Sequence, residues 1–336
     1  KRNKPATGLL KVDAITTTQD VLDSSGTNLS NSNIIWNDSN NSNYREQFTA
    51  ILNAANQTGQ LFGKPRESAT IGGISTEVYT LASNQLDLPV FNFSKPIGGI
   101  SRAFEIVPSS VNKSDSIYEA DPVPGTGLTY TYRSDGSGDS SNNTGFFLLF
   151  KQGTMQNQDF AVETSVTNYI KSLETSNIND SDFWLYKLDQ FGQLSEAWTK
   201  VPALSGNNAI YNSLAKGERN TYNVVTKNND AVDLVFGDGN FSNIPLGSFR
   251  TYYRTSDNTK YAIQPADMQN VQLTVPYVDN NGAQQSLTMT LSLKSSVNNA
   301  SATESNDSIR EKAPQVYYSQ NRMITAEDYQ VVPLSA

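Results

Sequence analysis

From Leu128 to Leu293 the sequence repeats one pattern: short runs rich in Tyr, Phe, Val and Thr, cut by Gly, Asn, Asp and Pro. β-Branched and aromatic side chains suit a pleated, half-buried surface, and the residues between the runs favour turns. The pattern predicts strands at Leu128–Arg133, Phe146–Gln152, Phe183–Asp189, Thr221–Lys227, Val232–Phe236, Ser248–Thr255, Val271–Val278 and Ser286–Leu293. Many short strands of this kind predict an antiparallel sandwich or barrel-like core, placed at residues 86–294. Asp279-Asn280-Asn281-Gly282 predicts a hairpin between the last two strands, because Asn-Gly readily takes positive φ angles. Ser134–Gly145, built of Ser, Gly, Asp, Asn and Thr, predicts an exposed flexible loop.

The flanks read differently. Tyr44, Phe48, Ile51, Leu52 and Ala55 recur at i, i+4, i+7, i+8 and i+11, one face of an α-helix near residues 43–57. Asn43 is placed to cap it, and Gly59 to follow its end. The stripe reads most simply as a core face; a partner-binding face is the sharper alternative. This helix belongs to a mixed α/β N-terminal region, residues 1–85. Beyond the β-core, residues 295–336 predict a linker and terminal helices. Ser295–Ser308 is a polar linker and candidate hinge, and Ile309–Tyr318 a short helix that Pro314 limits or kinks. Thr325 is placed as an N-cap, with Ala326, Glu327 and Asp328 in a first turn whose dipole favours acidic residues. A helix begun so near the last residue predicts that residue 336 is a fragment boundary or the limit of order, rather than a natural domain end. The fold class expected is mainly β with α, in more than one domain.

Composition narrows the chemistry. The 336 residues include no histidine and no cysteine. That removes imidazole acid–base catalysis, His- or Cys-based metal sites, disulfides and thiol nucleophiles. The net charge of −8, with Lys and Arg scattered, argues against nucleic acid or an anionic membrane surface as the main partner. The longest apolar run, Phe146–Phe150, is too short for a membrane helix. Paired carboxylates remain available for glycoside hydrolysis, with Glu304/Asp307 and Glu327/Asp328 the densest acidic spots, but a linker and a helix start explain both. Asp135-Gly136-Ser137-Gly138-Asp139 begins like a calcium loop and then lacks its glycine and its bidentate glutamate. Gly237-Asp238-Gly239 reads as a turn rather than a phosphate or metal site. No catalytic residue, metal ligand or cofactor is assigned.

Two groups of segments carry a family resemblance. Val235-Phe236-Gly237-Asp238-Gly239 is followed by Ile244-Pro245, Gly247 and Phe249-Arg250-Thr251-Tyr252-Tyr253-Arg254. Further on come Ser308-Ile309-Arg310, Ala313-Pro314, Gln320-Asn321-Arg322 and Thr325-Ala326-Glu327-Asp328-Tyr329. In this order they resemble the baseplate J-like family of contractile phage tails, most clearly over Asn220–Tyr329. Ala6–Asp13, Ile35-Trp36-Asn37 and Glu46-Gln47-Phe48 are similar to the larger wedge proteins of complex contractile tails. The Asn/Ser/Thr-rich linkers resemble those of cyanobacterial phages, and the same motif occurs in pyocin-like tails and extracellular injection systems.

The resemblance implies a non-enzymatic structural subunit of the baseplate wedge, located in the virion tail. It also implies paired copies within a six-fold ring around the hub, other wedge and hub proteins as partners, and coupling of receptor engagement to sheath contraction. Members of the family continue past the Ala-Glu-Asp-Tyr helix into a further α/β region that this sequence lacks. The alternative function is a receptor- or glycan-binding tail protein, with a polysaccharide-degrading tail protein third.

Overall fold

A computed structural model describes residues 2–30, 44–55, 64–81, 91–112, 116–122, 128–138, 140–202, 219–240 and 242–319. In chain order its first half holds β1 (Thr7–Thr17), α1 (Tyr44–Ala55), β2 (Glu67–Ile71), β3 (Ile74–Leu81), β4 (Phe91–Ile97), β5 (Ile100–Val107), β6 (Ser109–Val111), β7 (Ile117–Glu119), β8 (Leu128–Ser134) and β9 (Gly145–Gln152). There follow β10 (Thr154–Val162), β11 (Ile170–Leu173), β12 (Ile178–Leu188), β13 (Leu194–Lys200), β14 (Thr221–Thr226), β15 (Val232–Phe236), β16 (Gly247–Thr255), β17 (Val271–Val278), β18 (Gln284–Leu293) and α2 (Asn306–Ser319). The fold is mainly β with minor α.

The chain forms two compact units, each assembled from separated segments. One comprises Ala6–Gln156 and Tyr261–Asn299; the other comprises Lys1–Pro5, Asn157–Lys260 and the chain from Ala300. These boundaries do not coincide with divisions after residues 85 and 294, because the chain leaves each unit and returns to it.

In the first unit nine strands make one sheet in the order β17-β18-β1-β9-β8-β3-β2, with the β4–β5 hairpin branching from β9. Strand β9 pairs with β1 along one edge; along the other, Phe146 and Phe147 face β8 while Leu149 to Gln152 face β5. Strand β9 is accordingly buried at every position but Lys151 and shows no polar alternation. Helix α1 covers it: Phe48 stacks on Phe146 with ring centroids 5.0 Å apart. Phe48, Ile51, Leu52 and Ala55 are all fully buried, so the helical stripe is a core face. The proposed cap Asn43 lies outside the described residues.

Strand β1 lies between β9 and β18, pairing Leu10 with both Leu148 and Leu293. The predicted strand pattern omitted it. Its register shifts between Val12 and Ala14, so the buried positions Leu10 and Val12 change parity to Ile15 and Thr17 and the alternation is broken. The β17–β18 hairpin occurs as expected, but its turn is longer than the tight form. Gly282 donates to the Asp279 carbonyl at 3.0 Å and alone takes a left-handed φ, +82°, while Asp279 Oδ1 accepts from the Asn281 and Ala283 amides. Within Ser134–Gly145 the described residues share hydrogen bonds to one carboxylate. Asp135 accepts bonds from Ser137 N (2.9 Å), Ser141 Oγ (2.6 Å) and Thr144 Oγ1 (2.8 Å), which ties the loop to its own base.

The second unit is one seven-stranded sheet, β10-β16-β12-β13-β14-β15-β11. It curls round a single aromatic core, as the barrel-like alternative predicts. Phe160 on β10 and Phe236 on β15, well apart in the strand order, approach to 6.4 Å, and Trp198 stands edge-on to Phe236 and Phe249. The two ends of the unit's chain close it. Lys4 and Ser301 exchange backbone hydrogen bonds of 2.9 and 3.1 Å. Buried Asn3 donates its amide to Thr303 Oγ1 at 3.1 Å, its Oδ1 lies 2.9 Å from Ser256 Oγ, and Thr303 Oγ1 in turn bonds Asp230.

The polar stretch Ser295–Ser308 passes from the first unit to the second between Asn299 and Ala300. Val297 forms a bridge with Ile263, Ser301 one with Lys4, and α2 starts at Asn306 and runs through Pro314.

Candidate functional site

Of the residues that carry the family resemblance, Val235–Arg254 and the described ones from Ser308 belong to the second unit, whereas Ala6–Asp13 and Glu46–Phe48 belong to the first. Strand β15 ends at Phe236, whose ring is fully buried among Tyr169, Trp198 and Tyr222. The chain then reverses at Gly237-Asp238-Gly239. A Cβ on Gly237 would fall 2.3 Å from Ser242 Cβ, so only glycine fits there. Gly239 takes φ +90°, which L side chains rarely adopt, and donates its amide to Ser242 O at 2.9 Å. Asp238 Oδ1 accepts from Asn240 N at 2.9 Å, the side chain closing its own turn. Arg219, just before β14, donates Nη2 to the carbonyls of Gly239 and Asn240 at 3.0 Å each. Ser242 Oγ lies 2.8 Å from Thr221 Oγ1 and fastens the far side to β14. The carboxylate and the glycines are engaged in shaping the backbone.

Pro245 is buried and Gly247, at φ +108°, opens β16. Strands β15 and β16 are not neighbours in the sheet; they meet across the core, with Phe236 and Phe249 centroids 6.3 Å apart. Tyr253 joins that core, stacked 6.0 Å from Phe183, with its hydroxyl 3.1 Å from Thr175 Oγ1. Arg254, next along β16, is wholly buried, and its Nε lies 3.3 Å from Oδ2 of Asp182, which is 2% exposed. Burial pushes this guanidinium down to about 9, whereas the adjacent carboxylate favours its charged form. Nε of Arg254 and Oδ2 of Asp182 thus form a salt bridge with both side chains withdrawn from water.

The later segments are not gathered to this place by the described contacts. Ile309, Arg310, Ala313 and Pro314 lie on α2 with their side chains exposed, and Arg310 Nη1 approaches Asp307 at 3.5 Å. Glu304 anchors the start of α2: hydrogen bonds from Lys312 Nζ at 2.5 Å and Ser308 Oγ at 2.7 Å help hold its carboxyl below the ordinary glutamate range. Asn321, Arg322, Thr325, Ala326, Glu327, Asp328 and Tyr329 lie outside the described residues.

Three residues escaped the sequence reading. Asp182 gives no local sign that it faces Arg254, and Arg219 none that it closes a turn twenty residues on. Phe191 sits at the tip of the β12–β13 hairpin, 76% exposed. Asp189 Oδ1 holds that tip by accepting from Phe191 N (2.8 Å) and Gln193 N (2.9 Å). Among the described residues no group of three or more acidic side chains is placed to hold a metal ion, and no helix is long and apolar enough to cross a membrane.

Fold and site together define a mainly β, two-unit protein whose distinctive residues set backbone geometry and core packing. A family model described as "Domain of unknown function (DUF8360)" matches residues 8–296, and the chain belongs to that family. No curated protein and no solved structure gives a match.

Proposed function

We propose that this chain is a non-enzymatic structural subunit of the baseplate wedge of a contractile phage tail. In this reading it pairs with a second copy of itself, contacts other wedge and hub proteins, and helps couple receptor engagement to sheath contraction. The observation that carries the reading is the order of the J-like segments from Val235 to Tyr329 in one chain. The geometry of the described part is in keeping with it. The Gly-Asp-Gly turn is closed by its own side chain and by Arg219, and Tyr253 and Arg254 are spent on core packing and a buried ion pair. Phe191 and the exposed face of α2 offer contact surface to neighbours.

Imaging of the intact tail particle tests the proposal. Twelve copies, paired within a six-fold ring at the baseplate, are expected. Three copies at a fibre tip would instead favour the receptor-binding alternative and overturn this one.

A further inference from the structure

Asn281-Gly282 is the single Asn-Gly pair in the sequence. It lies at the tip of the β17–β18 hairpin, and both residues are exposed. Asp279 builds the turn: its Oδ1 accepts from the Asn281 and Ala283 amides at 2.9 Å each, and its Oδ2 accepts from Gln285 Nε2 at 3.0 Å. Those bonds engage the backbone of Asn281 and leave its side chain aside. Among the described residues the Asn281 carboxamide has no hydrogen bond, so it can turn onto the nitrogen that follows it. Gly282 sits at φ +82°, and the space where a Cβ would stand is empty to 4 Å. One contact opposes attack by its nitrogen. The Gly282 amide donates to Asp279 O at 3.0 Å, but at an exposed hairpin tip, where such a bond opens readily.

We propose that Asn281 is a site of spontaneous deamidation, with water as the co-reactant. The Gly282 nitrogen gives its proton to solvent base and attacks Cγ of Asn281. A C–N bond forms, the Cγ–Nδ2 bond breaks, and ammonia leaves behind a cyclic succinimide. Water then opens the ring. Cleavage of the new bond gives an ordinary aspartyl link. Cleavage of the original peptide bond gives an isoaspartyl link, in which the chain runs through the side chain. Nothing is oxidised or reduced. Glycine matters because ring closure needs a backbone freedom that a Cβ on the following residue would restrict. Either product adds a negative charge close to Asp279, and the isoaspartyl link also inserts a carbon into the turn that Asp279 holds. This site is independent of the assembly reading.

The test is incubation of the folded full chain in heavy-oxygen water, at mildly acidic and mildly alkaline pH, then tryptic digestion in ordinary water and mass spectrometry. Heavy oxygen enters only the carboxyl formed during the incubation, so conversion during digestion is not counted. The tryptic peptide 261–294 carries Asn270, Asn280 and Asn281, which gives the comparison within one fragment. Label is expected at Asn281, sooner at alkaline pH. It should appear there about tenfold faster than at Asn270, which is also exposed but precedes the β-branched Val271. Gly282→Ala should slow labelling of Asn281 about tenfold. Labelling of Asn281 no faster than that of Asn270 in the wild-type chain would overturn the inference, as would a rate unchanged by Gly282→Ala in a folded variant. The wild-type comparison decides the matter even if that variant fails to fold.

Discussion

Gly237 and Arg254 show two ways in which one residue constrains the whole barrel-like unit. At Gly237 the constraint is space. A methyl group would meet Ser242, itself held by Thr221, so relaxation is blocked on both sides. Gly237→Ala is expected to destabilise the protein by about 1–3 kcal/mol in urea unfolding. Gly192→Ala makes a useful contrast: its φ is +75° but a Cβ there meets nothing within 4 Å, so the change should cost only the backbone strain, about 1–2 kcal/mol. Equal losses would show that crowding at Gly237 is not the cause.

At Arg254 the constraint is charge. Removing one member of a buried ion pair strands the other, so Arg254→Met alone is expected to cost about 3–5 kcal/mol. Adding Asp182→Leu should restore much of that loss, because the stranded carboxylate is then gone. A double-mutant cycle measures the difference, and simple additivity would contradict an ionised pair.

At the scale of elements, the loop joining β8 to β9 is organised by one carboxylate. Hydrogen bonds from Ser141 Oγ, Ser137 N and Thr144 Oγ1 bring Asp135 down to about 2, below the ordinary aspartate value near 4. A depressed carboxyl stabilises the folded loop above the ordinary value, and that contribution is lost as pH falls through the folded one. Protection of the Ser137 amide against hydrogen exchange should therefore decline between about pH 4 and pH 2 while the β-core stays protected. Equal protection at both ends of that range would count against this anchor. Helix α2 is organised differently. Its described side chains other than Ser308 are exposed, so helix propensity and local pairs, rather than packing, decide its stability. Pro314 interrupts its hydrogen-bond ladder, and Pro314→Ala should raise the helical circular-dichroism signal without moving the melting transition of the β-units.

At the scale of the molecule, discontinuity is the dominant fact. The barrel-like unit takes in residues from both ends of the chain and closes on Asn3, Ser256, Asp230 and Thr303. Asn3→Ala and Thr303→Val should each destabilise that unit by about 1–3 kcal/mol, by leaving buried polar partners unmatched. Because both changes break one network, the double variant should lose less than the sum. Phe191→Ser, by contrast, removes an exposed ring and should leave folding stability within about 0.5 kcal/mol. In the proposed baseplate its effect should appear as reduced incorporation of the folded chain into tail particles.

Local order was largely legible in the amino-acid sequence. Val232–Phe236 and Val271–Val278 appear as strands with the predicted ends, the α1 stripe is buried at Phe48, Ile51, Leu52 and Ala55, and Gly237-Asp238-Gly239 is a turn. Each rests on side-chain alternation, helical spacing or backbone freedom within a few residues, which the sequence by itself determines. Partnership was not legible, because it joins residues far apart in the chain. Only the tertiary structure set Leu10 beside Leu293, shifted the parity of β1 at its bulge and placed Asp182 against Arg254. It likewise left Phe191 in solvent and the buried Nε of Arg133 without an acceptor among the described residues, since burial depends on which surfaces meet and not on what each residue is.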